Sequence, residues 1–135
     1  MSENCICGSA KTFARCCGRF LCDNQLAKTP EQLMRSRYSA YALGGYGDYL
    51  LRTWHPATSQ GLTSPELSRK HHEWLHLEIV DRTQSGDSGV VEFKASHRAP
   101  NGAIQVLHER SSFTRIAGRW LYVGGEVSFE GEYST

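Results

Sequence analysis

Four of the five cysteines in this 135-residue chain fall within one thirteen-residue stretch, running from Cys5-Ile6-Cys7-Gly8-Ser9 to Cys16-Cys17. Two thiols one residue apart and two adjacent thiols, with eight residues between the pairs, can close tetrahedrally around Zn²⁺, which takes Cys sulfur at about 2.3 Å. Disulfides and inert buried thiols are the competing readings. A bond within either pair would close a ring too small for the preferred Cα separation of about 5.5–6 Å. Cross-pairing suits a secreted chain, and the opening Met-Ser-Glu-Asn-Cys carries neither a basic nor an apolar run. The expectation is a Zn²⁺ site made by Cys5, Cys7, Cys16 and Cys17 in a reducing, cytoplasmic setting, with Cys22 a free thiol outside it. Ser9 is expected to cap a two-turn helix over residues 10–17, ended by Gly18 in the left-handed conformation.

Beyond the cluster, 39% hydrophobic and 21% charged residues are ordinary for a soluble globular chain, and the length suits one domain with a small appendage. No apolar run approaches the roughly 18 residues of a membrane span, so no membrane association is expected. A formal net charge of +1 exerts no global pull on nucleic acid. The expected division is a knuckle over residues 1–22 and an α+β domain over 23–135, joined by the polar stretch 23–28. Thr29-Pro30-Glu31-Gln32 supplies a cap, a first-turn proline and a glutamine three residues after the cap. This predicts a helix over 30–43, stopped by Gly44-Gly45, with Leu33, Arg37, Ala40, Tyr41 and Gly44 on one face. Asp48 is expected to cap a second helix over 49–55 that Pro56 ends, and Ser64-Pro65-Glu66 to open a third through about His72.

From Trp74 onward the hydrophobic period becomes two. Strands are expected over 74–83, 90–98, 103–115 and 119–123, with links short enough to make an antiparallel meander. A three-residue turn at Pro100-Asn101-Gly102 pairs Ala99 with Ala103, hence Phe93 with Glu109 and His97 with Gln105. A two-residue turn at Ala117-Gly118 pairs Phe113 with Tyr122. Val91, Phe93, Ala95 and His97 then share a face, as do Leu107, Glu109, Ser111 and Phe113, with Trp120 and Tyr122 as the bulky set on the last strand. If helices cover that concave side, Glu109 is a carboxylate among aromatics and needs a donor, expected from Arg37 or His55.

The N-terminal residues Cys5-x-Cys7-Gly8-Ser9-x-Lys11 through Cys16-Cys17-Gly18 resemble the SEC-C motif, the zinc-binding module at the C-terminus of the translocation ATPase SecA and in many bacterial proteins. That pattern usually has Gly where Ala10 stands. Leu33-Met34-Arg35-Ser36-Arg37-Tyr38-Ser39-Ala40-Tyr41, Tyr49 to Pro56, Glu109-Arg110-Ser111-x-Phe113 and Trp120-x-Tyr122 resemble the YchJ family of small bacterial proteins. The resemblance implies an N-terminal zinc module joined to a domain similar to nuclear transport factor two, a cone of helices on a curved four-stranded antiparallel sheet.

Within such a cone, Arg37, Tyr41, Trp54, His55, Phe93, Glu109, Trp120 and Tyr122 are the candidate pocket lining, and His55 with Glu109 the candidate acid–base pair. The plainer alternative is a buried Arg37–Glu109 ion pair that fixes the helix on the sheet. His71, His72 and His76 as a second metal site are outweighed by a polar loop and a solvent-facing strand. The sequence carries no Ser-His-Asp spacing, phosphate loop or dinucleotide fingerprint, so it leans away from catalysis. The leading reading is a zinc-stabilised binding or adaptor protein, with a protein partner at the knuckle and a small ligand in the cone. An enzyme working in the cone comes second. Nucleic-acid binding through Lys11, Arg15, Arg19 and Phe20 comes third.

Overall fold

A computed structural model describes residues 4–70 and 72–133, with side chains as far as residue 128. Four helices, α1 (Gly18–Leu21), α2 (Pro30–Leu43), α3 (Gly47–Arg52) and α4 (Ser64–Leu67), precede four strands, β1 (Glu73–Ser85), β2 (Ser88–Arg98), β3 (Ile104–Ile116) and β4 (Arg119–Tyr133). The strands form one antiparallel sheet in the order β1-β2-β3-β4, and the helices cover one face of it. The protein is α+β.

Turn chemistry sets the register. The Ala99 amide donates to Ala103 O at 2.8 Å across the Pro100–Gly102 turn, so Phe93 faces Glu109 and His97 faces Gln105. Phe113 faces Tyr122 across the last hairpin. Register shifts at Trp74/His76, Ile79/Asp81 and Ser112/Phe113 bend the strands around the helices. β4 runs to Tyr133, ten residues beyond the expected end at 123. Its later half pairs with β3 through Gly124 and Gly125, where glycines hide the period-two pattern that marks a strand.

Helix α2 is the keel. Thr29 Oγ1 accepts from the Gln32 amide at 3.1 Å, Gln32 Oε1 accepts from the Lys28 amide at 2.8 Å, and Gly44 ends the helix at φ +74°. Leu33, Met34, Ser36, Arg37, Tyr38, Ser39, Ala40 and Ala42 are all buried, which is more than one stripe. One side meets the sheet, another meets α3 through Ser36 Oγ and Tyr49 Oη at 2.6 Å, and a third meets the cysteine knuckle through Ser39. Small residues at 36, 39 and 40 let three layers approach one helix.

Other local expectations change. α3 begins at Gly47, after Tyr46, and ends at Arg52, with Asp48 inside its first turn rather than capping it. A Cβ at Gly47 would run into Ser64 O and Ser68 Oγ, and the Gly47 amide donates to Ser68 Oγ at 2.8 Å. This contact with α4 pulls the helix start forward. α4 is a single turn capped by Thr63, not a helix reaching residue 72.

Candidate metal centre and cone cavity

The knuckle is not the expected capped helix over 10–17. Ser9 accepts from the Lys11 amide at 3.3 Å and places its Oγ 3.0 Å from Cys16 Sγ, so it supports a turn and a sulfur. Gly8 and Ala10 both take positive φ, +84° and +69°. The Cys5 amide donates to Lys11 O at 2.7 Å, closing the loop that carries Cys5 and Cys7. A 3₁₀ turn, Phe13–Arg15, then delivers Cys16 and Cys17. Gly18 begins α1 instead of ending a helix, and a Cβ there would press on Phe13 O at 2.7 Å.

The result is four buried thiols whose Sγ atoms all lie within 4.8 Å of one another. Cys7 and Cys16 are 3.5 Å apart and Cys16 and Cys17 4.0 Å. A tetrahedron with metal–sulfur bonds of about 2.3 Å has edges of about 3.8 Å, so the donors fit a tetrahedral thiophilic ion. Hydrogen bonding to Cys17 and Cys7 draws the Cys5 pKa down, and hydrogen bonding to Cys5 and Cys7, with burial, pushes that of Cys17 up. The outer shell comes from α2: Arg35 Nη1 donates to Cys7 O at 2.8 Å and lies 3.9 Å from Cys7 Sγ, and Ser39 Oγ lies 3.8 Å from Cys5 Sγ. Arg35 is held in turn by Glu31 at 2.9 Å. Cys22 lies outside the cluster, exposed, beside Tyr46 Oη at 3.9 Å. Among the described residues, these four cysteines are the one group of three or more side chains placed to hold a metal. His71 lies outside the described residues, and the His72 ring meets Trp74 edge-on and His97 at a tilt.

The second site is a cavity of about 350 Å³ between α2 and the sheet. Arg37, Tyr41, Trp54, Phe93, Glu109 and Tyr122 line it, together with Met34, Tyr38, Arg69, His72, Trp74, Ala95, Leu107, Ser111 and Phe113. Two expected residues are elsewhere. The His55 amide is fixed by Tyr122 O at 2.8 Å, and its ring nitrogen Nδ1 accepts from the Ala57 amide at 3.0 Å, so the imidazole serves its own loop. Trp120 is buried but turns toward the linker, donating from Nε1 to Lys28 O at 3.3 Å.

Glu109 does not pair directly with Arg37 or His55. Its Oε2 accepts from Ser111 Oγ at 2.5 Å and from Tyr122 Oη at 2.9 Å. Room for the carboxylate comes from Gly125, where a Cβ would clash with Glu109 Oε2. Arg37, 5% exposed, donates from Nη1 to Leu50 O at 2.7 Å and to Thr53 Oγ1 at 2.6 Å. Its guanidinium carbon lies 4.9 Å from the Trp54 ring centre and 4.8 Å from that of Tyr122. Burial pulls the Arg37 pKa down, partly opposed by Tyr41, Tyr122, Tyr49 and Glu109. Burial, reinforced by the Glu109 charge and hydrogen bond, pushes Tyr122 up. The carboxylate therefore finds hydroxyl donors on its own sheet, and the cation finds a carbonyl and a hydroxyl at the end of α3 and rings from both layers, Trp54 and Tyr122. Serine at position 111, alternating with Glu109 on one face, was the available signal for that arrangement.

The basic flank of the knuckle is modest. Arg19 Nε is tied to Cys16 O at 3.0 Å, and Phe20 is buried beneath the Arg19 guanidinium, so it offers no free ring for base stacking. Among the described residues, no helix is long and apolar enough to cross a membrane.

Comparison with known proteins places both parts. The SEC-C motif matches residues 1–19, and the YchJ middle NTF2-like domain matches residues 29–125. A UPF0225 protein of Shewanella sp. (strain MR-4) is 43% identical over 133 residues, covering 91% of this chain and 80% of that protein. A UPF0225 protein of Streptomyces coelicolor is 41% identical, covering 90% and 94%. The solution structure of a SEC-C motif containing protein from Rhodopseudomonas palustris superposes with a TM-score of 0.83 at 39% identity, covering 92% of this chain and 98% of that one.

Proposed function

Because this chain belongs to the YchJ-like UPF0225 family, with a SEC-C motif ahead of an NTF2-like domain, we propose that it is a zinc-stabilised binding protein. In this reading the knuckle is a structural Zn²⁺ module and a protein-docking surface, and the cone receives a small ligand. The observation that carries it is the mutual reach of four buried thiols, all within 4.8 Å. Four sulfur donors favour Zn²⁺ over harder cations and leave no coordination position for substrate, so the ion supplies folding energy rather than chemistry. Five unpaired cysteines suit a reducing compartment such as the cytoplasm. Ile6, 39% exposed at the tip of the knuckle loop, gives that loop an apolar contact point for a protein partner. Catalysis by a His55/Glu109 pair is not favoured, since the imidazole is engaged outside the cavity.

Metal analysis tests the zinc assignment. The purified chain and Cys22→Ser are each expected to hold about one Zn²⁺, and Cys17→Ser to hold none stably. A different metal in the native chain, or loss of zinc in Cys22→Ser, overturns it.

A further inference from the structure

We infer that the cone cavity takes a neutral, elongated, mainly apolar molecule with a hydroxyl or N–H group at one end, donated to Glu109, and a hydrogen-bond acceptor at the other, met by Tyr38. This rests on the reading of the cone as a small-ligand site. The cavity's volume of about 350 Å³ lies at the lower end of the range for small-molecule pockets. Its middle is apolar, formed by Phe93, Ala95, Leu107 and Met34.

At one end Glu109 Oε2 is saturated by Ser111 and Tyr122, and among the described residues nothing donates to Oε1. Glu109 lines the cavity, so that oxygen is offered as an acceptor to a donor on the ligand. That donor is not a cation, because the position over the Trp54 and Tyr122 rings already holds the Arg37 guanidinium. Arg37 and Glu109 also balance each other across the same cavity. A charged ligand would leave a net charge between low-dielectric walls, so the fitting ligand is neutral.

At the other end Tyr38 is 4% exposed, yet its hydroxyl has no hydrogen-bond partner. Tyr38 meets Trp74 edge-on, with ring centres 6.0 Å apart, and Trp74 pairs with His97 on β2. The row holding Phe93 and Glu109 and the row holding His97 and Trp74 are separated by four residues of β2. That is about 13 Å along a strand, which sets the length. Arg69 and His72 stand at the exposed margin, where the slot meets solvent.

The test uses 4′-hydroxybiphenyl-4-carbonitrile, which is neutral, rigid and apolar, with a hydroxyl at one end and a nitrile acceptor at the other. Calorimetric titration of the zinc-loaded chain should show one molecule bound per chain. Biphenyl-4-carbonitrile, which lacks the hydroxyl, should bind about tenfold more weakly, and Glu109→Gln should shrink that difference. Tyr38→Phe removes only an unpartnered hydroxyl, so it should fold as the native chain does; it should abolish the advantage of the nitrile over 4-hydroxybiphenyl. Ala95→Leu, filling the slot, should abolish binding with zinc content and circular dichroism unchanged. Tighter binding of 4′-hydroxybiphenyl-4-carboxylate than of the nitrile overturns the neutral-ligand inference and leaves the cone a ligand site. Failure of every probe, or binding undiminished by Ala95→Leu, overturns both.

Discussion

In the knuckle four sulfurs are drawn together from both ends of the segment, and the loop that presents them takes two positive-φ positions. In the cone the long-range order comes from sheet pairing and from apolar burial around Leu33, Leu50 and Val91, each essentially fully buried. The two meet along α2, where Arg35 and Ser39 reach the cysteines and Arg37 and Tyr41 reach the cavity. A segment with few apolar residues can hold one shape when a multivalent centre replaces a core. A segment with a core can leave a hole in it.

The largest effect expected is that of metal removal. Chelation should unfold residues 4–22 and expose the Arg35 and Ser39 side of α2, while the sheet amides remain protected, because the cysteines are held against α2 by Arg35 and Ser39. Metal-dependent modules commonly lose their fold without the ion. Hydrogen exchange with and without chelator reads this directly. Cooperative loss of protection across β2 and β3 would show that knuckle and cone fold as one unit.

Next in size is the buried cation of the cone. Arg37→Leu takes the shorter donor from the Leu50 carbonyl, leaving it only the 3.3 Å bond from Thr53 Oγ1, and leaves Glu109 without its balancing charge, so a loss of about 2–4 kcal/mol is expected in denaturant unfolding. Zinc content should not change. If Arg37→Leu released the metal as well, the division of α2 into a knuckle side and a cavity side would fail.

The two regions also differ in how much could be read from the chain. Strand register was legible because tight turns propagate by parity, which put Phe93 opposite Glu109 and Phe113 opposite Tyr122. The convergence of the four cysteines was legible from spacing. The knuckle backbone was not, since positive φ at Ala10 contradicts its residue type, and a helix cap was the ordinary expectation for Ser9. His55 was misplaced because its orientation depends on a nonlocal clip between residues 53–55 and Tyr122, invisible in local pattern. Trp120 was misplaced for the same reason: Lys28 O, far away in sequence, captures its indole. Tyr38 escaped notice because α2 is buried on several sides, which blurs the stripe that marks a cavity-facing residue, and Trp74 because a register shift right after it at the start of β1 breaks the period-two pattern.

A smaller effect is expected at the hinge of the cavity floor. Gly125→Ala places a methyl group where the Glu109 carboxylate lies, and the carboxylate must leave Ser111 and Tyr122 or β4 must shift. Overpacking of this kind costs about 1–3 kcal/mol. The effect should be confined to the cone, with the tyrosine absorbance titration of Tyr122 moving down in pH as its hydrogen bond to the carboxylate is lost. An unchanged titration would mean that the carboxylate tolerates the methyl group in place.

The smallest effect separates the regions most cleanly. Ala10 sits at φ +69°, a conformation that costs an L-residue roughly 1 kcal/mol and glycine almost nothing. Ala10→Gly relieves that strain in the folded knuckle and adds a little entropy to the unfolded chain, so the net gain should be a few tenths of a kcal/mol up to about 1 kcal/mol. In the proposed reading the knuckle folds with its Zn²⁺, so the gain should appear as Zn²⁺ affinity higher by up to about fivefold, measured by competition with a chromophoric chelator. The sheet's own unfolding in excess chelator should not move. Weaker zinc binding by Ala10→Gly would mean that the loop's chain entropy outweighs its strain, and that the alanine stiffens the knuckle.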